Sequence, residues 1–266
     1  MATTTGNFIW YELMTTDATA ASGFYEAVVG WSIDAQASGD SEMDYRMIRR
    51  ADGGFNGGVL ALTEAMSAGG ASPGWFGYVE VPDVDVAVKA FTDAGGTVMM
   101  DASMDGVGRM ALVSDPQGAP LYVMKPTPPA ERPDAVSDVF SYDQAQHIRW
   151  NELATSDQDA AIGFYCGLFG WRQDGAMPMG DLGDYKFLHH RTGMIGAVMK
   201  KPDDMPRSTW LFYIGVDEID RAVAAVGAGG GTVVQGPIEV PGGDYSAVCV
   251  DPQGAAFGIV GPRAKG

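Results

Sequence analysis

Trp10-Tyr11-Glu12-Leu13-Met14-Thr15-Thr16-Asp17 is written twice: 140 residues later the chain reads Trp150-Asn151-Glu152-Leu153-Ala154-Thr155-Ser156-Asp157. The echo continues outward. Gly23-Phe24-Tyr25 and Gly30-Trp31 return as Gly163-Phe164-Tyr165 and Gly170-Trp171. Asp115-Pro116-Gln117-Gly118-Ala119 returns as Asp251-Pro252-Gln253-Gly254-Ala255, so the gaps fall only in the middle. A self-match of this extent means two copies of one domain, and it governs every later reading.

The 266 residues suit two domains of ordinary size, each able to bury a core. Between the copies, Lys125-Pro126-Thr127-Pro128-Pro129-Ala130-Glu131-Arg132-Pro133 is proline-rich and reads as a semi-stiff linker. The expected boundaries are 1–125 for the first domain, 126–146 for the linker and 147–266 for the second domain.

Within each domain a strand–helix–three-strand pattern occurs twice. Phe8 to Met14 predicts a strand, and Thr16 or Asp17 can cap the helix that follows. Ala20, Ala21, Phe24, Tyr25 and Val28 give that helix an apolar face, and Gly30 ends it. The pattern restarts with a strand at Trp75–Val81 and a helix opened by Asp83 or Asp85. The second copy repeats this at Trp210–Val216 and Asp217–Val226.

Composition narrows the function. Hydrophobic residues make up 46% and charged residues 19%, a globular balance. A formal net charge of −17 argues against nucleic acid and anionic membrane surfaces as partners. No apolar run approaches the roughly 20 residues of a membrane span. The first 30 residues show neither the basic start nor the apolar core of a secretory signal, so the expected location is the cytoplasm. Cys166 and Cys249 make no disulfide framework and read as small core residues.

The repeated motifs carry a resemblance. Trp10-x-Glu12-Leu13-Met14, Phe24-Tyr25…Gly30-Trp31, Gly95-Gly96-Thr97-Val98 and Asp115-Pro116-Gln117-Gly118, with their second-copy counterparts, resemble the vicinal oxygen chelate superfamily. That superfamily holds glyoxalase I, bleomycin-resistance proteins and extradiol dioxygenases. The likeness is nearest to tandem glyoxalase-like proteins of the actinobacterial culture-filtrate-antigen type. It implies an α+β fold: two tandem glyoxalase-like domains, each of two βαβββ units forming a cupped sheet. It implies little about chemistry, because one scaffold hosts several reactions.

Metal-dependent relatives would hold an ion in the cup with His, Gln and Glu from the first and last strand of each unit. Here those places fall on Trp10, Phe76, Trp150 and Leu211, on Tyr122 and Gly258, and near Leu60 and Met199. Tyrosine alone does not hold a divalent ion and the others are not donors, so neither a metal nor any other cofactor is expected. His189 and His190 are adjacent on a strand and cannot both face one ion.

Strand alternation puts Glu12 on the face of Trp10 and Glu152 on the face of Trp150. The matching step from Phe76 reaches Tyr78, and from Leu211 reaches Tyr213. Tyr45 and Tyr185 recur as a further aromatic wall. The expected site therefore has Glu12 and Glu152 as catalytic carboxylates. Its ligand-binding residues are Trp10, Tyr45, Phe76, Tyr78, Arg109, Tyr122, Trp150, Tyr185, Leu211 and Tyr213. Such a face suits a planar or aromatic small molecule that stacks on Trp and Tyr and hydrogen-bonds to Glu. Equally, the two glutamates could be satisfied by tyrosine hydroxyls and merely knit the sheets. Arg109 either holds an anionic substrate or is an edge-strand charge.

The expected function is metal-independent binding or conversion of a small aromatic or carbonyl-containing metabolite, of lyase, isomerase or detoxifying type. The alternatives are a bleomycin-resistance-like sequestering protein and a metal-dependent lyase or dioxygenase with a displaced site. The expected partners are a small-molecule ligand and either the chain's own other domain or a second copy.

Overall fold

The computed structural model describes residues 5–37, 43–191 and 193–264. Four βαβββ modules follow one another. The first holds β1 (Phe8–Thr15), α1 (Ala18–Val29), β2 (Ser32–Ile33), β3 (Tyr45–Arg49) and β4 (Phe55–Ala61). A short α2 (Glu64–Ala68) leads to β5 (Gly74–Glu80), α3 (Val84–Asp93), β6 (Thr97–Met104), β7 (Gly108–Ser114) and β8 (Pro120–Pro126). The second repeat gives β9 (Ile148–Thr155), α4 (Gln158–Phe169), β10 (Arg172–Pro178), β11 (Asp184–His190) and β12 (Gly193–Lys200). It ends with β13 (Thr209–Gly215), α5 (Ile219–Ala228), β14 (Thr232–Glu239), β15 (Tyr245–Val250) and β16 (Ala256–Gly261). No helix among the described residues is long and apolar enough to cross a membrane.

Strand order is β2-β3-β4-β1-β5-β8-β7-β6 in one sheet and β10-β11-β12-β9-β13-β16-β15-β14 in the other. In every module the first strand runs parallel to the last. Glu12 thereby lies opposite Gly58 in the first module, and Glu152 opposite Ala197 in the third. The other pairings within each module are antiparallel.

Local chemistry sets the helices. Asp17 caps α1 by accepting from Thr19 N at 3.1 Å and Ala20 N at 2.9 Å. Gly30 ends it at φ +82°, a conformation glycine adopts without steric cost. Ala18, Ala21, Phe24, Tyr25 and Val28 are its buried stripe.

By contacts the chain divides into two compact units. The first comprises Gly77–Ser137 and Asn151–Trp210, with the segment ending at Ile9. The second comprises Trp10–Phe76, Asp138–Trp150 and Leu211–Gly266. Each unit thus takes one module from each repeat. In the second unit Tyr25 meets Phe257 at 5.3 Å, and its hydroxyl donates to Asp251 at 3.1 Å while accepting from Trp75 at 2.8 Å. In the first unit the same parts recur in exchanged roles: Tyr165 donates to Asp115 at 2.9 Å and accepts from Trp210 at 3.4 Å. Aromatic pairs of this kind contribute about 0.5–1.5 kcal/mol each beyond area burial.

Burial is the main reason that both tyrosine hydroxyls sit well above their ordinary pKa. Burial likewise raises Asp115 and Asp251, against the pull of the backbone N–H groups of Ala119 and Ala255. Cys249 is buried too, and its thiol is pushed up to about 12, so it is a packing residue and not a nucleophile.

Candidate functional site

The faces of the strands are fixed by what each side chain reaches. Arg46 on β3 reaches Thr19 of α1 at 3.1 Å, so its neighbour Tyr45 points to the helix-free face. There the Tyr45 hydroxyl accepts from Trp10 Nε1 at 2.7 Å. Trp10, Glu12 and Tyr45 therefore share the face that the sequence predicts, and Glu12 is only 3% exposed. Trp75 turns to Tyr25 of α1, which leaves Phe76 on the helix-free side of β5.

The third module is built alike. Lys186 reaches Asp159 of α4 at 2.5 Å, so Tyr185 and Phe187 point away from the helix. The Tyr185 hydroxyl donates to Glu152 Oε2 at 2.6 Å. Glu152, Ala197 and Phe187 lie side by side across β9, β12 and β11, and Glu152 is half-buried. Trp150 precedes Glu152 by one alternation and has the Tyr142 ring at 6.3 Å.

In the remaining modules the tyrosines pack on the last strands. Tyr78 stacks on Tyr122 with centroids 4.0 Å apart and planes at 8°, both rings buried. Tyr213 lies over Gly258, where a Cβ would overlap its ring. Leu211 shares the face of Tyr213, because Phe212 between them turns to Tyr11 at 5.2 Å.

Arg109 is a correction. Leu112 on β7 lies opposite Tyr122 on β8, so residues in phase with Leu112 share the tyrosine face. Arg109 is out of phase. Its guanidinium bonds Asp101 and reaches Asp85 of α3 at 2.7 Å, on the helix side. Those carboxylates, Asp101 foremost, raise its pKa further, and they hold it on the helix side of an interior strand, β7, which pairs with both β6 and β8.

The metal places can be tested on this geometry. Trp10 presents an N–H already donated to Tyr45, Tyr122 is closed face-on by Tyr78, and Gly258 has no side chain. This donor set does not fit a divalent ion. Among the described residues no group of three or more His, Cys, Asp or Glu is arranged to hold one.

A cleft of about 640 Å³ contains none of the predicted residues. Gly30, Arg50, Asp52, His147, Asp217 and Arg221 line it, all in the second unit. Its cations are committed to structure. Arg50 bonds Asp138 at 2.6 Å and the Phe55 carbonyl at 2.6 Å. Arg221 caps the end of α1 through the carbonyls of Ala27 and Val28, both at 3.0 Å. His147 is buried with Nδ1 against the Ala145 carbonyl at 2.9 Å.

Three residues escaped the sequence reading. Ala197 lies next to Glu152 with Phe187 beyond it in the same row, and Asn56 is fully buried on β4 with neither amide atom partnered among the described residues. Aligning the copies strand by strand gives the signal: Met47, Asn56 and Gly58 stand where Phe187, Ile195 and Ala197 stand.

A family model described as the Glyoxalase/Bleomycin resistance protein/Dioxygenase superfamily matches residues 7–122 and again 144–259. The CFP32 protein of Mycobacterium tuberculosis (strain CDC 1551 / Oshkosh), provisionally named a glyoxylase, is 32% identical over 96% of this chain and 95% of its own length. The anthracycline biosynthesis protein DauV of Streptomyces sp. (strain C5) is 27% identical over 94% of this chain and 91% of its own. Among solved structures, a variant of homoprotocatechuate 2,3-dioxygenase from B. fuscum aligns with a TM-score of 0.63 at 18% identity, covering 99% of this chain and 74% of that one. The Mn(II)-bound glyoxalase from Novosphingobium aromaticivorans gives 0.62 at 16%, covering 98% and 83%. At these identities the structures establish a shared fold.

Proposed function

Because the chain belongs to the Glyoxalase/Bleomycin resistance protein/Dioxygenase superfamily, and so is a small-molecule binding or converting protein, we propose a metal-independent role for it. It takes a small aromatic or carbonyl-containing metabolite on the helix-free face of a Trp-x-Glu strand. The observation that carries this reading is the 2.6 Å bond from Tyr185 to Glu152, beside Phe187. The tyrosine holds the carboxylate in one orientation, and the aromatic and aliphatic neighbours favour a planar ligand. A carboxylate so held accepts an O–H or N–H of the ligand, or takes a proton from it. The name of the anthracycline-biosynthesis relative supports an aromatic class of ligand.

A sequestering protein without turnover is the second reading. It is favoured by the apolar company of Glu152, Phe187 and Ala197, which can grip a ring without supplying a second reacting group. Glu152→Gln separates the two. Retained ligand affinity with lost turnover supports catalysis, and lost affinity alone supports sequestration. A stoichiometric transition metal in the purified, active protein overturns the metal-independent reading of either kind.

A further inference from the structure

We infer that the two repeats have parted roles: the second takes the ligand, the first is closed, and the residue beside the glutamate decides which. This rests on the reading above and deepens it. The deciding residue is Gly58 in the first repeat and Ala197 in the second, each in register with its glutamate.

In the first repeat position 58 has no Cβ, and the Tyr45 ring takes that space; a Cβ there would overlap the ring and hydroxyl. The ring is pinned by the 2.7 Å bond from Trp10 and lies in the row of Glu12, which is 3% exposed. In the second repeat the methyl of Ala197 fills the equivalent space. Tyr185 therefore cannot lie down in the same way; its hydroxyl donates to Glu152 at 2.6 Å, and the carboxylate remains half-buried.

The face around Glu152 also selects ligand class. A carboxylate at the end of a row that continues into a methyl and a phenyl ring accepts from an uncharged aromatic bearing an O–H or N–H, and repels an anion. In a chain of net charge −17 the wider field acts in the same direction.

The test is a fluorescence titration of the full chain with 2-naphthol, with 2-naphthoate as the anionic counterpart. Wild type should bind one equivalent of 2-naphthol and reject 2-naphthoate. Glu152→Gln should weaken 2-naphthol at least tenfold. Ala197→Gly, which removes the methyl between Glu152 and Phe187, should weaken it several-fold. Tyr185→Phe supplies a second readout if the glutamine variant does not fold, again with weakened binding. Two equal sites, or half the binding capacity surviving in Glu152→Gln, overturn the division of roles and leave the ligand-face reading standing. No binding of 2-naphthol to wild type overturns both.

Discussion

The hydroxyl of Tyr165 donates to Asp115 Oδ2 at 2.9 Å, joining a helix of the second repeat to the last turn of the first inside one compact unit. Its counterpart, Tyr25 to Asp251, does the same in the other unit. Each aspartate also accepts from two backbone N–H groups of its own turn. Each repeat is therefore completed by the other. Tyr165→Phe should cost about 1.5–3 kcal/mol, the usual range for a hydrogen bond to a charged group. Urea unfolding measures it, and Tyr25→Phe should cost a similar amount.

The same two aspartates fix the sign of one pH dependence. Burial raises the pKa of each above its ordinary value near 3.8. Across the interval from 3.8 to the raised value the folded state holds more protons than the unfolded chain. Their contribution to stability is thus fullest below that interval and is lost as pH rises through it. The stability advantage of wild type over Asp115→Asn should shrink from about pH 4 upward and then level off. Urea midpoints measured in parallel from about pH 4 to about pH 7 check the slope.

Asn56 is buried with both amide atoms unpartnered among the described residues, whereas the second repeat has Ile195 at the same place. Unsatisfied buried polar groups cost about 1–3 kcal/mol. Asn56→Ile should therefore stabilise the protein, read as a higher thermal midpoint, and leave 2-naphthol binding in place. A lost ligand would instead make Asn56 part of a working first site.

Metal removal gives a further prediction. Trp10, Tyr122 and Gly258 offer no donor set for a divalent ion, so dialysis against a chelator should change neither the thermal midpoint nor ligand affinity. Manganese or zinc restoring either one would contradict this.

The fold was legible because its signals are local and doubled. Asp17 and Gly30 bound a helix by capping chemistry alone, and the Trp-x-Glu motif marks a strand in both repeats. The Tyr25–Asp251 and Tyr165–Asp115 pairings were not legible, since both residues look like ordinary members of their own repeat and only tertiary packing joins them. Trp10, Glu12 and Tyr45 could be placed on one face by alternation. Arg109 could not, because its face depends on the register between β7 and β8, which a glycine-flanked strand leaves open. The Gly58 and Ala197 difference was visible in the letters. Its meaning required knowing that a tyrosine ring lies above one of them.

The most direct test of the central claim is NMR of the full chain with its glutamate side-chain carboxyls labelled with carbon-13, titrated with 2-naphthol. The account predicts that the Glu152 carboxyl resonance moves and saturates at one equivalent while that of Glu12 stays in place. Movement of Glu12 in equal measure, or of neither, would contradict it.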